Sequence, residues 1–188
     1  MNITPLDLPG VCFIEPKVWA DPRGYCLETC HAGKYAAAGI RLPLVQANHS
    51  HSSRGVLRGL HHQTEKPQGK LIYVVRGAIW DVAVDVRRGS PAFGKWVGRE
   101  LNDQNKAQMY VPPGCLHGFV VLSEEVDVIY QCTDVYHPQG ELGVIWNDPQ
   151  LAVAWPMAAP QLSAKDAVLT RLADLPIERL PVYEPPAG

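Results

Sequence analysis

Residues 78–86, Ala-Ile-Trp-Asp-Val-Ala-Val-Asp-Val, alternate in character: Trp80, Val82, Val84 and Val86 fall on one face, Asp81 and Asp85 on the other. A period of two is the pattern of a strand. Arg76-Gly77 just before it predicts a tight hairpin back from a strand over 71–75. A third apolar strand, 115–122, is opened by the turn Pro112-Pro113-Gly114, and in 126–133 the residues Val128, Tyr130 and Cys132 share a face. Shorter strands are predicted over 11–18, 25–29, 44–48 and 94–101. Helical signals are few. The run 32–38 suits two turns, and 163–172 reads as a helix with Ser163 as N-cap and Asp166 at capping-box spacing. The segment 180–188, with Pro181, Pro185 and Pro186, reads as an extended arm or frayed end. Glycine and proline punctuate short strands along the whole length, with no repeat and no linker. The expectation is one all-β domain over 1–188, a double-sheet jelly roll barrel with short helices, flanked by an N-terminal segment (1–10) and a C-terminal tail (174–188).

Composition narrows the function more than the fold. The net charge is −2, so no bulk basic field is available to hold nucleic acid. The five cysteines form no C-x-x-C pair and read as free thiols of a reducing cytoplasm, neither a zinc site nor a disulfide scaffold. No apolar run is long enough to span a membrane, and the first residues do not resemble an export signal.

Polar residues on inward positions of a jelly roll need a reason, because unpaired polar groups are costly to bury. The densest polar stretch is 46–63, with His49, His51, His61 and His62 among its side chains. Jelly rolls of this kind often bind a metal through His-x-His, a later carboxylate and a further histidine. Here the corresponding residues are His61-His62-Gln63, Lys70 and His117. A glutamine and a lysine in place of two ligands make a poor divalent site, and the lysine puts an ammonium where a metal would stand. That exchange suits proton removal beside a ketone. Such a reaction needs a base near neutral pKa, a cation at the developing enolate oxygen, and an acid across the ring.

Successive motifs then carry a resemblance. They are Asp21-x-Arg23-Gly24, Gly55-Val56-Leu57-Arg58-Gly59-Leu60-His61, Lys70-Leu71, Val75-Arg76-Gly77, Asp81-Val82-Ala83-Val84-Asp85 and Gly89-Ser90-Pro91. Further on come Pro112-Pro113-Gly114-x-x-His117-Gly118-Phe119, Trp146-Asn147-Asp148-Pro149 and Trp155-Pro156. In order and spacing, from about residue 10 to about residue 170, the chain resembles dTDP-4-dehydrorhamnose 3,5-epimerases. The resemblance implies a cupin-type jelly roll, a homodimer, no cofactor and no metal, and a dTDP-4-keto-6-deoxy sugar as substrate. It also implies His61 as base, Asp166 as its carboxylate partner, Lys70 at the enolate oxygen and Tyr130 as the acid, with Tyr136 as a second pocket tyrosine. Arg23, Glu28, Gln46, Asn48, Arg58, His117 and Glu141 match positions that hold or orient the nucleotide sugar.

The chain departs from the family pattern at Cys26, Ala47, His62 and Leu142. Simpler roles also exist for the same residues. Asp166 could cap a helix, Tyr130 could be a core tyrosine, and Arg23 a turn residue. Strict alternation would place Arg58 and His61 on opposite faces, unless Gly59 makes a bulge. The rival functions are an epimerase of C3 alone or of another 4-keto nucleotide sugar, a non-catalytic sugar-binding cupin, and a metal-dependent cupin oxygenase.

Overall fold

The computed structural model describes residues 1–40 and 43–185. Among the described residues thirteen strands run in chain order: β1 (Asn2–Pro5), β2 (Cys12–Glu15), β3 (Val18–Asp21), β4 (Gly24–Leu27), β5 (Gln46–Ser53), β6 (Leu57–Gln63), β7 (Lys70–Arg76), β8 (Ala78–Asp85), β9 (Trp96–Asn102), β10 (Gln108–Val111), β11 (Cys115–Val121), β12 (Glu125–Cys132) and β13 (Glu141–Gly143). One helix, α1 (Ala32–Ala37), follows β4. Two antiparallel sheets face each other as a jelly roll without closing into a barrel. One has the order β1-β2-β10-β7-β12-β5, the other β13-β6-β11-β8-β9, and β3-β4 form a separate ribbon. Among the described residues no helix is long and apolar enough to cross a membrane.

Alternation sorts each strand into an inner and an outer row. Ile72, Val74, Met109, Val111, Val126 and Val128 from the first sheet meet Ile79, Ala83, Val97, Leu101, Phe119 and Val121 from the second. This apolar filling occupies one end of the space between the sheets. The other row of β8 is apolar too. Val82, Val84 and Val86 pack with Leu116, Leu142, Val144, Leu151, Leu172 and Leu180, so the chain after β12 covers the back of the second sheet. On the back of the first sheet, α1 buries Tyr35 against Ile14, Leu71 and Tyr110, and the Tyr35 hydroxyl donates to Gln108 Oε1 at 2.7 Å.

Four sequence expectations are corrected. The predicted hairpin at Arg76-Gly77 does not form: β7 pairs with β10 and β12, whereas β8 pairs with β9 and β11 in the other sheet. Gly77 makes the corner instead. Its φ is +83°, its N–H donates to Asp103 Oδ2 at 2.7 Å, and a Cβ there would stand 2.2 Å from the Glu125 carbonyl oxygen. The helix predicted over 163–172 is absent. Ser163 Oγ does accept the Asp166 N–H at 3.1 Å, as its capping pattern foretold, but only short 3-10 turns follow, at Asp166–Val168, Leu172–Asp174 and Ile177–Arg179. The strand predicted over 11–18 is broken into β2 and β3, and the polar stretch predicted as a strand only to 48 continues to Ser53. Up to residue 185 the tail is a docked arm: Arg88 N–H donates to Pro181 O at 2.7 Å and Tyr183 N–H to Arg88 O at 2.9 Å. Residues 186–188 lie outside the described part.

Candidate active site

The polar inward residues gather at the end of the sandwich that the apolar core leaves open. On the first sheet the pairing register sets Lys70 beside Cys132 and Gln46, and in the next row Ile72 beside Tyr130 and Asn48. On the second sheet His61 pairs directly with His117. Arg58 reaches the same face as His61 because the register shifts between His117 and Phe119, so that Gly59 and Leu60 together oppose Gly118. The bulge requires glycine. Gly59 has φ +99°, and a Cβ on it would lie 2.4 Å from the His117 carbonyl oxygen.

These side chains line two adjoining cavities. One, of about 430 Å³, is walled by Arg58, His61, Lys70, His117, Phe119, Tyr130 and the segment 161–166. The other, of about 260 Å³, is walled by Gln46, Asn48, His61, Lys70, Tyr130, Tyr136 and Glu141. His61, Lys70 and Tyr130 belong to both, at the junction. Asp166, 4% exposed, places Oδ1 2.6 Å from His61 Nε2. Burial opposes ionisation of this carboxyl, but the hydrogen bond and charge of His61, with help from Ser163 and the Gly59 N–H, hold it below the usual carboxylate range. A carboxylate fixes the histidine tautomer: Nε2 carries the proton, leaving Nδ1 as the basic nitrogen. Glu141 Oε1 stands 3.6 Å from Nδ1, while its Oε2 takes the Tyr136 hydroxyl at 2.7 Å and Lys165 Nζ at 2.5 Å. Burial pushes the Lys70 ammonium pKa down and the Tyr130 phenol pKa up. Burial disfavours the charged form of each, and a phenol that stays neutral keeps the proton an acid must deliver.

Of the sequence-predicted residues, His61, Lys70, Tyr130, Asp166, Gln46, Asn48, Arg58, His117, Tyr136 and Glu141 come together here. Arg23 and Glu28 do not. Arg23 tops the β3–β4 ribbon, its side chain 90% exposed and paired with Asp21, and Glu28 pairs with Lys34. Lys165 and Gln161 also line the site and were not singled out from the sequence, although Lys165 adjoins Asp166. As for a metal, Gln63 spends its amide on Lys66 O at 2.6 Å, Val135 O at 3.0 Å and the His137 N–H at 2.7 Å. Among the described residues no cluster of three or more His, Cys, Asp or Glu is arranged as ligands.

A jelly roll whose open end gathers a histidine–carboxylate pair, a half-buried lysine and a tyrosine has the groups of an acid–base site on sugar-sized cavities. Comparison with known proteins gives the family. The model of the dTDP-4-dehydrorhamnose 3,5-epimerases matches residues 5–174, and the chain belongs to that family. It is 48% identical to the dTDP-4-dehydrorhamnose 3,5-epimerase of Pseudomonas aeruginosa over 93% of this chain and 97% of that one. It is 50% identical to the enzyme of that name from Neisseria gonorrhoeae over 88% of this chain, but spans only 51% of that longer protein. A crystal structure of dTDP-6-deoxy-D-glucose-3,5-epimerase from Legionella pneumophila, in complex with dTDP-4-keto-L-rhamnose, superposes with a TM-score of 0.94 at 46% identity, covering 97% of this chain and 98% of that one. A dTDP-4-dehydrorhamnose 3-epimerase of Streptomyces niveus is 43% identical over 93% of this chain and 85% of its own.

Proposed function

We propose that the protein is an isomerase that inverts C3 and C5 of dTDP-4-dehydro-6-deoxy-D-glucose to give dTDP-4-dehydro-L-rhamnose. The observation that carries this reading is the His61–Asp166 hydrogen bond of 2.6 Å at the junction of two cavities that Lys70 and Tyr130 also line. His61 takes the proton from the carbon beside the 4-keto group, and Asp166 steadies the imidazolium that forms. The electron pair moves to the keto oxygen, whose negative charge Lys70 meets. Tyr130 then gives its hydroxyl proton to the carbon from the opposite face, the carbonyl re-forms, and the centre is inverted. His61 and Tyr130 return to their starting states through solvent. C3 and C5 flank one carbonyl, so the same three groups serve both steps.

Arg58, His117, Gln46, Asn48, Tyr136 and Glu141 are the groups available to hold the nucleotide sugar around this centre. Arg23 and Glu28 both lie outside it: Arg23 is at the turn of an exposed ribbon that also bears Trp19, 47% exposed, and Tyr25, 56% exposed, and Glu28 just follows that ribbon. In a homodimer that ribbon is the natural exchange surface, and it would carry Arg23 and Glu28 to the cavity of the second copy. The enzyme works in the cytoplasm, where its five free cysteines stay reduced. A second reading, inversion of C3 alone, is kept open by the Streptomyces niveus relative. Turnover in deuterated water, with the product examined by NMR, separates them: label at C3 and C5 supports double inversion, label at C3 alone supports the second reading.

A further inference from the structure

Two carboxyl groups face the base, one at each ring nitrogen. Asp166 Oδ1 is bonded to His61 Nε2 at 2.6 Å, and Glu141 Oε1 stands 3.6 Å from Nδ1. The first helps, since it fixes the proton on Nε2 and leaves the Nδ1 lone pair for the substrate. The second is a hazard. If Glu141 closed to hydrogen-bond distance it would hold a proton on Nδ1, and His61 would rest as an imidazolium between two acids with no lone pair to offer. Alternation gives Glu141 no other face to turn to. Gly143 of β13 pairs with His61 and Glu141 with Gln63, so Glu141 emerges on the side of the sheet that carries the histidine.

What keeps it off sits on its other oxygen. Glu141 Oε2 accepts from the Tyr136 hydroxyl at 2.7 Å and from Lys165 Nζ at 2.5 Å, whereas Oε1 accepts no hydrogen bond among the described residues. Lys165 owes its place to the turn that positions Asp166. Ser163 Oγ accepts the Asp166 N–H at 3.1 Å and Ser163 O accepts the Ala167 N–H at 3.0 Å, with Lys165 between them at φ −68° and ψ −48°. Neighbouring residues of one turn thus act on the two nitrogens of one imidazole, Asp166 directly and Lys165 through Glu141. The clamp is ionic. Burial opposes ionisation of Glu141, but the bonds from Lys165 and Tyr136 and the charge of His61 hold it below the usual carboxylate range. Burial likewise opposes the Lys165 ammonium, and Glu141 holds it above its usual range. Other groups facing His61 do not compete for this role. From β11, its register partner His117 gives Nε2 to Asp81 at 2.7 Å; from β6, Arg58 is spent on Ser52 Oγ at 3.0 and 3.1 Å; from β7 and β12 come the Lys70 ammonium and the Tyr130 phenol, neither a carboxylate. Among the described residues Glu141 is the one carboxylate within 4.0 Å of Nδ1.

We propose that Lys165 is a positioning residue for the base: by holding Oε2 of Glu141 it keeps that carboxylate off His61 Nδ1, so that the nitrogen stays free to take a proton from the sugar. Held at 3.6 Å, Glu141 still favours the imidazolium once the proton has moved, without trapping it beforehand. A lysine that only held a phosphate would act on substrate affinity and leave the histidine unchanged. The inference rests on His61 as the base.

The test is the titration of His61 in the intact protein without substrate, followed by NMR at its ring Cε1–H, with His61→Asn identifying the signal. The Lys165 side chain is 56% exposed, so Lys165→Met should fold, which circular dichroism checks. Freed of the lysine, Glu141 should keep His61 protonated to higher pH. The titration midpoint should rise by at least about 0.4 pH units, the scale of one partly exposed charge pair. The acidic limb of kcat/KM, which reports the base of the free enzyme, should rise with it. In a Glu141→Gln background the same substitution should raise the midpoint by less than about half as much, because an uncharged amide has little hold on an imidazolium. A smaller rise in Lys165→Met overturns the inference, and if KM alone is raised it makes Lys165 a substrate-binding lysine. A rise more than half as large in the Glu141→Gln background also overturns it, since the lysine charge would then act on His61 directly. His61→Asn with wild-type turnover would instead remove the underlying reading of His61, whereas an inactive His61→Asn with an unmoved midpoint in Lys165→Met removes the inference alone.

Discussion

Replacing Asp166 by asparagine changes one oxygen to an amide group and alters little else in size. Asp166 Oδ1 now accepts from His61 Nε2 at 2.6 Å, with the side chain only 6% exposed. A hydrogen bond to a charged group is worth about 1.5–3 kcal/mol, and each ~1.4 kcal/mol is tenfold in rate. Losing the charge that stabilises the imidazolium should therefore cost about 10- to 150-fold in kcat. The amide can also donate to Nε2, which would force the proton onto Nδ1 and remove the base; the loss then exceeds that range. Substrate affinity should change little. A second readout follows from linkage. Asp166 titrates lower in the folded protein than in the unfolded chain, so its contribution to stability is present above the unfolded pKa of about 3.9 and fades as the pH falls through the lower folded value. Asp166→Asn should lower Tm at pH 7 and narrow the gap to wild type as the pH falls below about 4. Steady-state turnover, with circular dichroism to confirm folding, measures the first effect. A folded Asp166→Asn protein within about threefold of wild-type kcat would refute the dyad, since it falls below even the weakest charged hydrogen bond.

Two further outcomes are expected. Tyr130→Phe removes the returning proton but leaves His61 and Lys70, so in deuterated water the substrate should exchange its protons faster than it inverts, most visibly at C5; inversion keeping pace with exchange would take Tyr130 out of the acid role. Gly98→Ala places a Cβ 2.6 Å from the Trp80 ring and should destabilise by about 1–3 kcal/mol through overpacking, read as a fall in urea midpoint; an unchanged midpoint would mean the ring moves aside at no cost.

Much of this site could be read from the chain because its residues sit on strands, where alternation fixes direction. Tyr130, Val128 and Cys132 share an inward row as their spacing requires, and Asp81 lies opposite Val82 as the 78–86 pattern requires. Alternation alone failed at two places. Arg58 and His61 are three residues apart and reach one face only through the Gly59 bulge, which depends on contact with Gly118 from a distant strand. Gly77 looks like a hairpin glycine locally, but the corner it makes is set by Asp103 and Glu125. The segment 163–172 showed a good N-cap, yet it has to lay Asp166 against His61 and return under the second sheet, and tertiary contacts override the local preference there. Arg23 and Glu28 were legible as motif residues, but a single chain does not bring them to the cavity.

The central claim is abstraction of protons on both sides of one ketone by one histidine. Single-turnover conversion of dTDP-4-dehydro-6-deoxy-D-glucose in deuterated water, followed by proton NMR of the product, tests it most directly. The account predicts the L-rhamnose configuration with deuterium at both C3 and C5, and loss of both labels together in His61→Asn. Inverted product without solvent deuterium at either carbon, or labelling that survives in His61→Asn, would contradict it.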